Sequence, residues 1–175
     1  MKPSPANKTK PKTLTALRHA LDRERKAGKK IVFTNGCFDI LHLGHVRYLK
    51  EARQLGQVLV VGLNSDRSVR KLKGPDRPLN RQDHRAEVLS ALKSVDYVVI
   101  FSEPTPMTLI RAIRPDFLVK GGDWKKHAIV GSELVESYGG MVHSLPFTKG
   151  FSTTGLLDKM TKSSPRRRGS NLIPD

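Results

Sequence analysis

One cysteine in 175 residues, Cys37, leaves no partner for an internal disulfide and rules out a zinc site built from cysteines. No stretch approaches the run of about 18 apolar residues that a membrane-spanning helix requires. The opening Met1-Lys2-Pro3-Ser4-Pro5 has no apolar segment like that of a secretion signal, so the expected location is the cytoplasm, with no membrane partner. Carboxylates are scarce as well: 16 Asp and Glu face 32 Lys and Arg, a net charge of +16. They are scattered, and no multi-carboxylate cage for a metal is visible. The charge is uneven, because the first 13 residues hold four lysines and no acid, and residues 162–175 add three net positive charges. The tails therefore carry seven of the sixteen units, and no recognisable nucleic-acid module accompanies them, so nucleic-acid binding is not expected as the function. The positive charge left on the core suits anionic small molecules such as polyphosphates.

The remainder has the balance of an ordinary folded domain, 37% hydrophobic and 27% charged. Residues 1–12 and 162–175 read as flexible basic arms rich in Lys, Pro, Ser and Arg, and 13–161 as one domain. Thr13 is a good N-cap for a helix that buries Leu14, Leu17, Ala20 and Leu21 and stops at Gly28. Apolar runs at 30–33, 57–63, 96–101, 117–120 and 141–145 read as five strands, that at 57–63 covered on both faces. Helical segments fall between them at 46–55, 67–72, after Asn80 as N-cap with Ala86, Val88, Leu89 and Leu92 inward, from Thr105-Pro106 to Pro115, and from Gly131 to Gly139. Alternation of this kind gives an α/β Rossmann-like three-layer sandwich with a five-stranded, mainly parallel sheet, its site above the carboxyl ends of the strands.

The densest chemistry lies just after the first strand, in Asn35-Gly36-Cys37-Phe38-Asp39-Ile40-Leu41-His42-Leu43-Gly44-His45. A strand, a glycine turn and a helix aim the helix's free N–H groups at whatever lies above the strand, which makes a site for anions. His42 and His45 stand at that mouth, with Gly44 between them allowing close approach. Imidazoles there donate to phosphate oxygens and neutralise charge on phosphorus under attack, which points to phosphoryl or nucleotidyl transfer. Farther on, Gly121 and Gly122 let backbone approach a ligand at the end of the fourth strand, and Asp123 can accept from ribose or amine groups. Trp124, the one tryptophan, either stacks at the site or packs the core. Cys37 lacks the base and orienting partner of a nucleophilic thiol. His143, alternating with Val142 in the last strand, reads as structural.

These residues resemble the signature of the cytidylyltransferase-like nucleotidyltransferases, and within them the heptose 1-phosphate adenylyltransferases most of all. The likeness runs from about Ala27 to Met160 through 34–49, Asn64-Ser65-Asp66, Lys71-Leu72-Lys73-Gly74, Val119-Lys120-Gly121-Gly122-Asp123-Trp124 and Phe151-Ser152-Thr153-Thr154. The resemblance implies transfer of AMP from ATP to the phosphate of a sugar 1-phosphate with release of pyrophosphate. It implies catalytic roles for His42, His45 and Lys73, with Lys71 and Arg77 as lesser candidates. Nucleotide contacts are implied for Asn35, Gly36, Cys37, Phe38, Gly44, Gly121, Asp123, Ser152, Thr153 and Thr154, and contacts to the substrates for Asp39, Arg85 and Trp124. Magnesium is expected with the ATP, Asp39 being the candidate to touch it. A separate sugar kinase would supply the acceptor, and a homodimer is the expectation from the likeness. A glycerol-3-phosphate cytidylyltransferase shares the histidine and Ser-Thr-Thr motifs. Those enzymes tend to carry an arginine shortly before the latter motif, where this chain has Phe147-Thr148-Lys149-Gly150, leaving Lys149 as a stand-in for the charge. A nucleotide-binding module without catalysis is the remaining alternative, against which the intact histidine pair speaks.

Overall fold

In a computed structural model, residues 13–146, 150, 151, 153, 155, 157 and 159 are described. The chain runs α1 (Leu14–Lys26), β1 (Ile31–Gly36), α2 (Leu43–Gln54), β2 (Val58–Asn64), α3 (Asp66–Lys73), α4 (Gln82–Ser90), β3 (Tyr97–Phe101), α5 (Met107–Ile113), β4 (Phe117–Gly121), α6 (Ser132–Ser137) and β5 (Met141–Leu145). The five strands form one sheet in the order β3-β2-β1-β4-β5, and every neighbouring pair is parallel. The chain works outward from β1 to β3, then returns to lay β4 on the other side of β1. Between β1 and β4 lies the switch point at which open α/β sheets bind ligands.

Alternation along the strands divides the core in two. Ile31, Phe33, Val58, Val60, Tyr97 and Val99 face α1, α5 and α6, while Val32, Leu59, Val61, Leu63 and Val98 face α2 and α4. β2 is buried along its whole length, as its unbroken apolar run requires. Gly62 within it makes room for a neighbour, since a Cβ there would stand 2.9 Å from the Phe33 ring. At the start of α1, the Thr13 hydroxyl accepts from Ala16 N at 3.2 Å, a cap contributing about 1 kcal/mol. Ser65 does the same for α3, accepting from Ser68 N at 3.2 Å.

Four local expectations need correction. The helix after β1 starts at Leu43, not at residue 46, and Val46 is exposed. His42 is therefore its N-cap and His45 lies in its first turn, so the histidines belong to the helix. Lys73 is helical too, because α3 continues beyond residue 72 until Gly74, at φ 99, breaks it. Asn80 does not cap α4; Arg81 occupies that position without a side-chain bond, since the Asn80 amide is turned to the Asp39 carbonyl. Val88 is 51% exposed, its place toward the core taken by Arg85, Ala86 and Leu89.

Candidate active site

A cavity of about 930 Å³ opens above the carboxyl ends of β1, β2 and β4. Its centre is the mouth of α2. The His42 ring folds back over the first turn, its Nδ1 accepting from His45 N at 3.4 Å. A neutral ring whose Nδ1 accepts carries its proton on Nε2, leaving that N–H for a ligand. His42 and His45 stack at 3.9 Å with 19° between their planes, and Phe38 leans on His45 at 5.2 Å. Phe38 is held at a positive φ of 44, and Gly36 accommodates its ring, which would lie 3.0 Å from an added Cβ. Gly44 serves a similar end. A Cβ there would stand 3.0 Å from His42 Nδ1 and 3.1 Å from Phe151 Cβ, so its smallness admits the imidazole and Phe151.

Burial sets the protonation of the pair. It pushes His45 from 6.5 down to about 4, assisted by the neighbouring His42 and by the Lys73 cation, and it lowers His42 as well. At neutral pH both rings are uncharged, and an anion bound beside them would draw their pKa values back up. Cys37, half-buried on the cavity floor, has its thiol pKa raised, chiefly by burial, although Lys73, Arg85 and Lys120 pull it down. It is a protonated thiol at neutral pH. Under the same floor the buried Tyr48 hydroxyl meets Thr34 Oγ1 at 2.5 Å and donates to the Val119 carbonyl at 3.3 Å, and burial drives it up to about 12.

The cavity gathers many of the residues expected from the sequence: Asn35, Gly36, Cys37, Phe38, His42, Gly44, His45, Lys73, Gly121 and Thr153 all border it. Lys73 arrives from the last turn of α3. Ser152, Thr154 and Lys149 lie outside the described residues.

Arg85 and Asp39 are used differently from what the likeness implied. Arg85 is buried; its guanidinium donates to the carbonyls of Asn80 (2.8 Å), Cys37 (2.5 Å) and Asn64 (2.9 Å) and to Asp66 Oδ1 (2.7 Å). Every arm of the fork is occupied within the protein, and the residue does not border the cavity. Asp39 borders it, but its carboxylate is 1% exposed, paired with Arg77 at 2.6 Å and accepting from Leu79 N at 2.8 Å and Asn80 N at 3.1 Å. Its oxygens hold the loop before α4 and one nitrogen of Arg77. Asp123 and Trp124 are exposed on the turn after β4 and lie outside the cavity, the Trp124 indole donating to the Gly121 carbonyl at 3.1 Å.

Lys120, at the end of β4, borders the cavity and points its Nζ to Asn35 Oδ1 at 3.5 Å. The sequence carried a signal for it, a cation closing an apolar strand immediately before two glycines. Thr105 and Pro106, expected only to start a helix, also form part of the wall, beside Phe101 and Val130. Among the described residues, no group of three His, Cys, Asp or Glu side chains could hold a metal ion, and no helix is long and apolar enough to cross a membrane.

An all-parallel α/β sheet with paired imidazoles and two lysines around a helix mouth at the switch point defines a nucleotidyltransferase. Within that class the chain belongs to the cytidylyltransferase-like family, whose model matches residues 33–155. It is 55% identical over 145 residues to the bifunctional protein HldE of Syntrophotalea carbinolica, covering 83% of this chain and 30% of that protein. To the protein of the same name from Geobacter sulfurreducens it is 53% identical over 154 residues, 88% of this chain and 31% of the relative. The chain thus spans about a third of the length of these curated relatives. A solved lipopolysaccharide core biosynthesis protein from Thermoplasma volcanium is 34% identical and superposes with a TM-score of 0.56, covering 70% of this chain and 98% of that one. Pantoate-beta-alanine ligase from Francisella tularensis, at 16% identity and a TM-score of 0.57 over 78% of this chain and 66% of its own, shares the fold.

Proposed function

We propose that the chain is a heptose 1-phosphate adenylyltransferase: it joins the AMP of ATP to the phosphate of D-glycero-β-D-manno-heptose 1-phosphate and releases pyrophosphate. The observation that carries this reading is the stacked His42–His45 pair at the mouth of α2, facing one cavity with Lys73 and Lys120. Similarity to the HldE proteins and to the Thermoplasma lipopolysaccharide core protein supports the choice of acceptor. A phosphate oxygen of the sugar attacks the α-phosphorus of ATP; the new P–O bond forms as the bond to the β-phosphate oxygen breaks, and pyrophosphate leaves with that electron pair. Little covalent chemistry falls to the protein, whose work is alignment and neutralisation of charge. The α2 amides and the imidazole N–H groups face the oxygens on which charge grows, Lys73 stands over the departing phosphates, and Thr153 adds a hydroxyl.

Magnesium enters with ATP as part of the substrate. With the Asp39 carboxylate closed off by Arg77, the protein's described side chains offer it no cage, which suits an ion carried by the triphosphate. The acceptor requires a kinase reaction upstream, and the setting is the cytoplasm, where ATP is supplied.

The test is pyrophosphate release by purified protein with magnesium, crossing ATP and CTP against heptose 1-phosphate and glycerol 3-phosphate. Release with ATP and the heptose alone is expected. Release with CTP and glycerol 3-phosphate would move the substrate and keep the reaction class, and silence in all four combinations would return the chain to a nucleotide-binding module.

A further inference from the structure

We infer that Lys120 is the residue that receives the acceptor's phosphate, giving the site two separate anion stations: Lys73 and the α2 mouth for the triphosphate, and Lys120 for the nucleophile. This rests on the adenylyltransferase reading, whose attacking group is itself a doubly charged phosphate. Such a nucleophile is repelled by the polyphosphate it must approach, and a cation of its own is the direct remedy.

Four observations place that cation. Lys120 lies next to the last residue of β4, beside β1, and borders the cavity at the switch point of the sheet, where ligands gather. It is carried by a strand with neighbours on both sides, which fixes its position better than a loop does. It has no carboxylate partner among the described residues; its recorded contact is the neutral Asn35 amide oxygen at 3.5 Å, long and easily given up. Finally, the two lysines act from different directions. Lys73 comes from the last turn of α3, which follows β2, whereas Lys120 comes from β4, on the other side of β1. Burial lowers the Lys120 pKa, as expected for an ammonium held in a partly dry site without a counter-ion. A phosphate arriving there supplies that counter-ion and restores the full charge.

The histidines, Thr153 and Lys73 surround the helix mouth and suffice for a triphosphate. Lys120 is the remaining cation of the described cavity wall, and the acceptor's phosphate is the remaining anion.

The experiment compares wild type with Lys120→Met, Lys120→Arg and Lys73→Met. Calorimetry measures binding of α,β-methylene-ATP with magnesium, then of heptose 1-phosphate, glucose 1-phosphate and glycerol 3-phosphate to the loaded protein; steady-state rates follow for any acceptor that turns over. Lys120→Met is expected to weaken the acceptor at least tenfold in Kd and KM while analogue binding stays within twofold, which also shows that the variant is folded. Lys120→Arg keeps the charge and recovers most of the acceptor's affinity, and Lys73→Met gives the reverse split. Acceptor binding unchanged in Lys120→Met, or a loss confined to the analogue, overturns the assignment of Lys120 alone. A wild-type protein that takes the analogue but none of the phosphorylated acceptors overturns this inference together with the adenylyltransferase reading.

Discussion

The two ends of the sheet each carry a hollow lined with cations, and they are built on opposite plans. At the amino end, a cleft of about 660 Å³ is bordered by Arg25, Lys29, Lys30 and Arg114. Each has an answer within the fold: Lys30 pairs with Asp116 at 2.9 Å, Lys29 with Glu24 at 2.6 Å, Arg25 caps the Ile113 and Arg114 carbonyls at the end of α5, and Arg114 stacks on Tyr138 at 4.7 Å. At the carboxyl end, neither Lys73 nor Lys120 has a carboxylate among the described residues, and His45 Nδ1 is buried without a hydrogen-bond partner. A hollow whose charges are satisfied holds the chain together. One whose charges wait for a ligand has been kept open at some expense in stability, as functional sites are.

Substitutions at the two ends should separate these plans. The largest effect is expected behind the carboxyl-end cavity, at Arg85→Met, which strips the Asp66 carboxylate and three carbonyls of their partner. A loss of about 3–5 kcal/mol, read from the urea midpoint at constant slope, is the expectation. An unchanged midpoint would mean that the guanidinium is free after all to serve a phosphate. His45→Ala should leave the midpoint near that of wild type and lower kcat by about 10²–10³-fold, the scale of removing one donor to a developing oxyanion. Wild-type turnover in that variant would remove the histidine from the mechanism.

A smaller effect is expected from pH. The pKa of His45 is depressed in the fold, so the neutral ring's contribution to stability is fully present above pH 6.5 and is lost progressively as pH falls to about 4. The difference in urea midpoint between wild type and His45→Gln should therefore shift against wild type across that interval and stay level above pH 7; a flat difference throughout would contradict the depressed value. Smallest of all is Lys30→Met at the amino-end cleft. Its pair with Asp116 is largely exposed, so a change of about 0–1 kcal/mol with kcat within twofold is expected, and a marked loss of activity would break the contrast between the two ends.

Patterns along the chain were enough for the layers of the fold and for the centre of the site. Apolar runs marked the five strands, Thr13 marked the start of α1, and His42, Gly44 and His45 marked the helix mouth because strand, turn and helix follow one another without interruption. What they could not show was the direction in which a long side chain turns. Arg85 and Lys120 are both cations near phosphate-binding motifs. Arg85 rises from the inner face of α4 and meets the carbonyls of Cys37 and of Asn64 at the end of β2, 48 and 21 residues away, whereas Lys120 lies near the end of a strand and borders the open cavity. Val88 looked like a core residue of α4 because helical spacing alone cannot say that a buried arginine occupies that face. Asp39 lies in the signature itself, but its partners Arg77, Leu79 and Asn80 are about forty residues away, a distance no local reading spans.

The Arg85 fork and the Asp39 carboxylate bear on how such a site could be redesigned. Between them they fasten the segment after β1, the end of β2 and the approach to α4 into one piece. These three segments form a cassette: transplanting one of them from a relative would cut bonds to the other two, so they must travel together. Leu72, Thr105 and Val130 border the same cavity outside that clasp. Libraries aimed at a new acceptor belong at those three positions, where side chains can change without unfastening the frame.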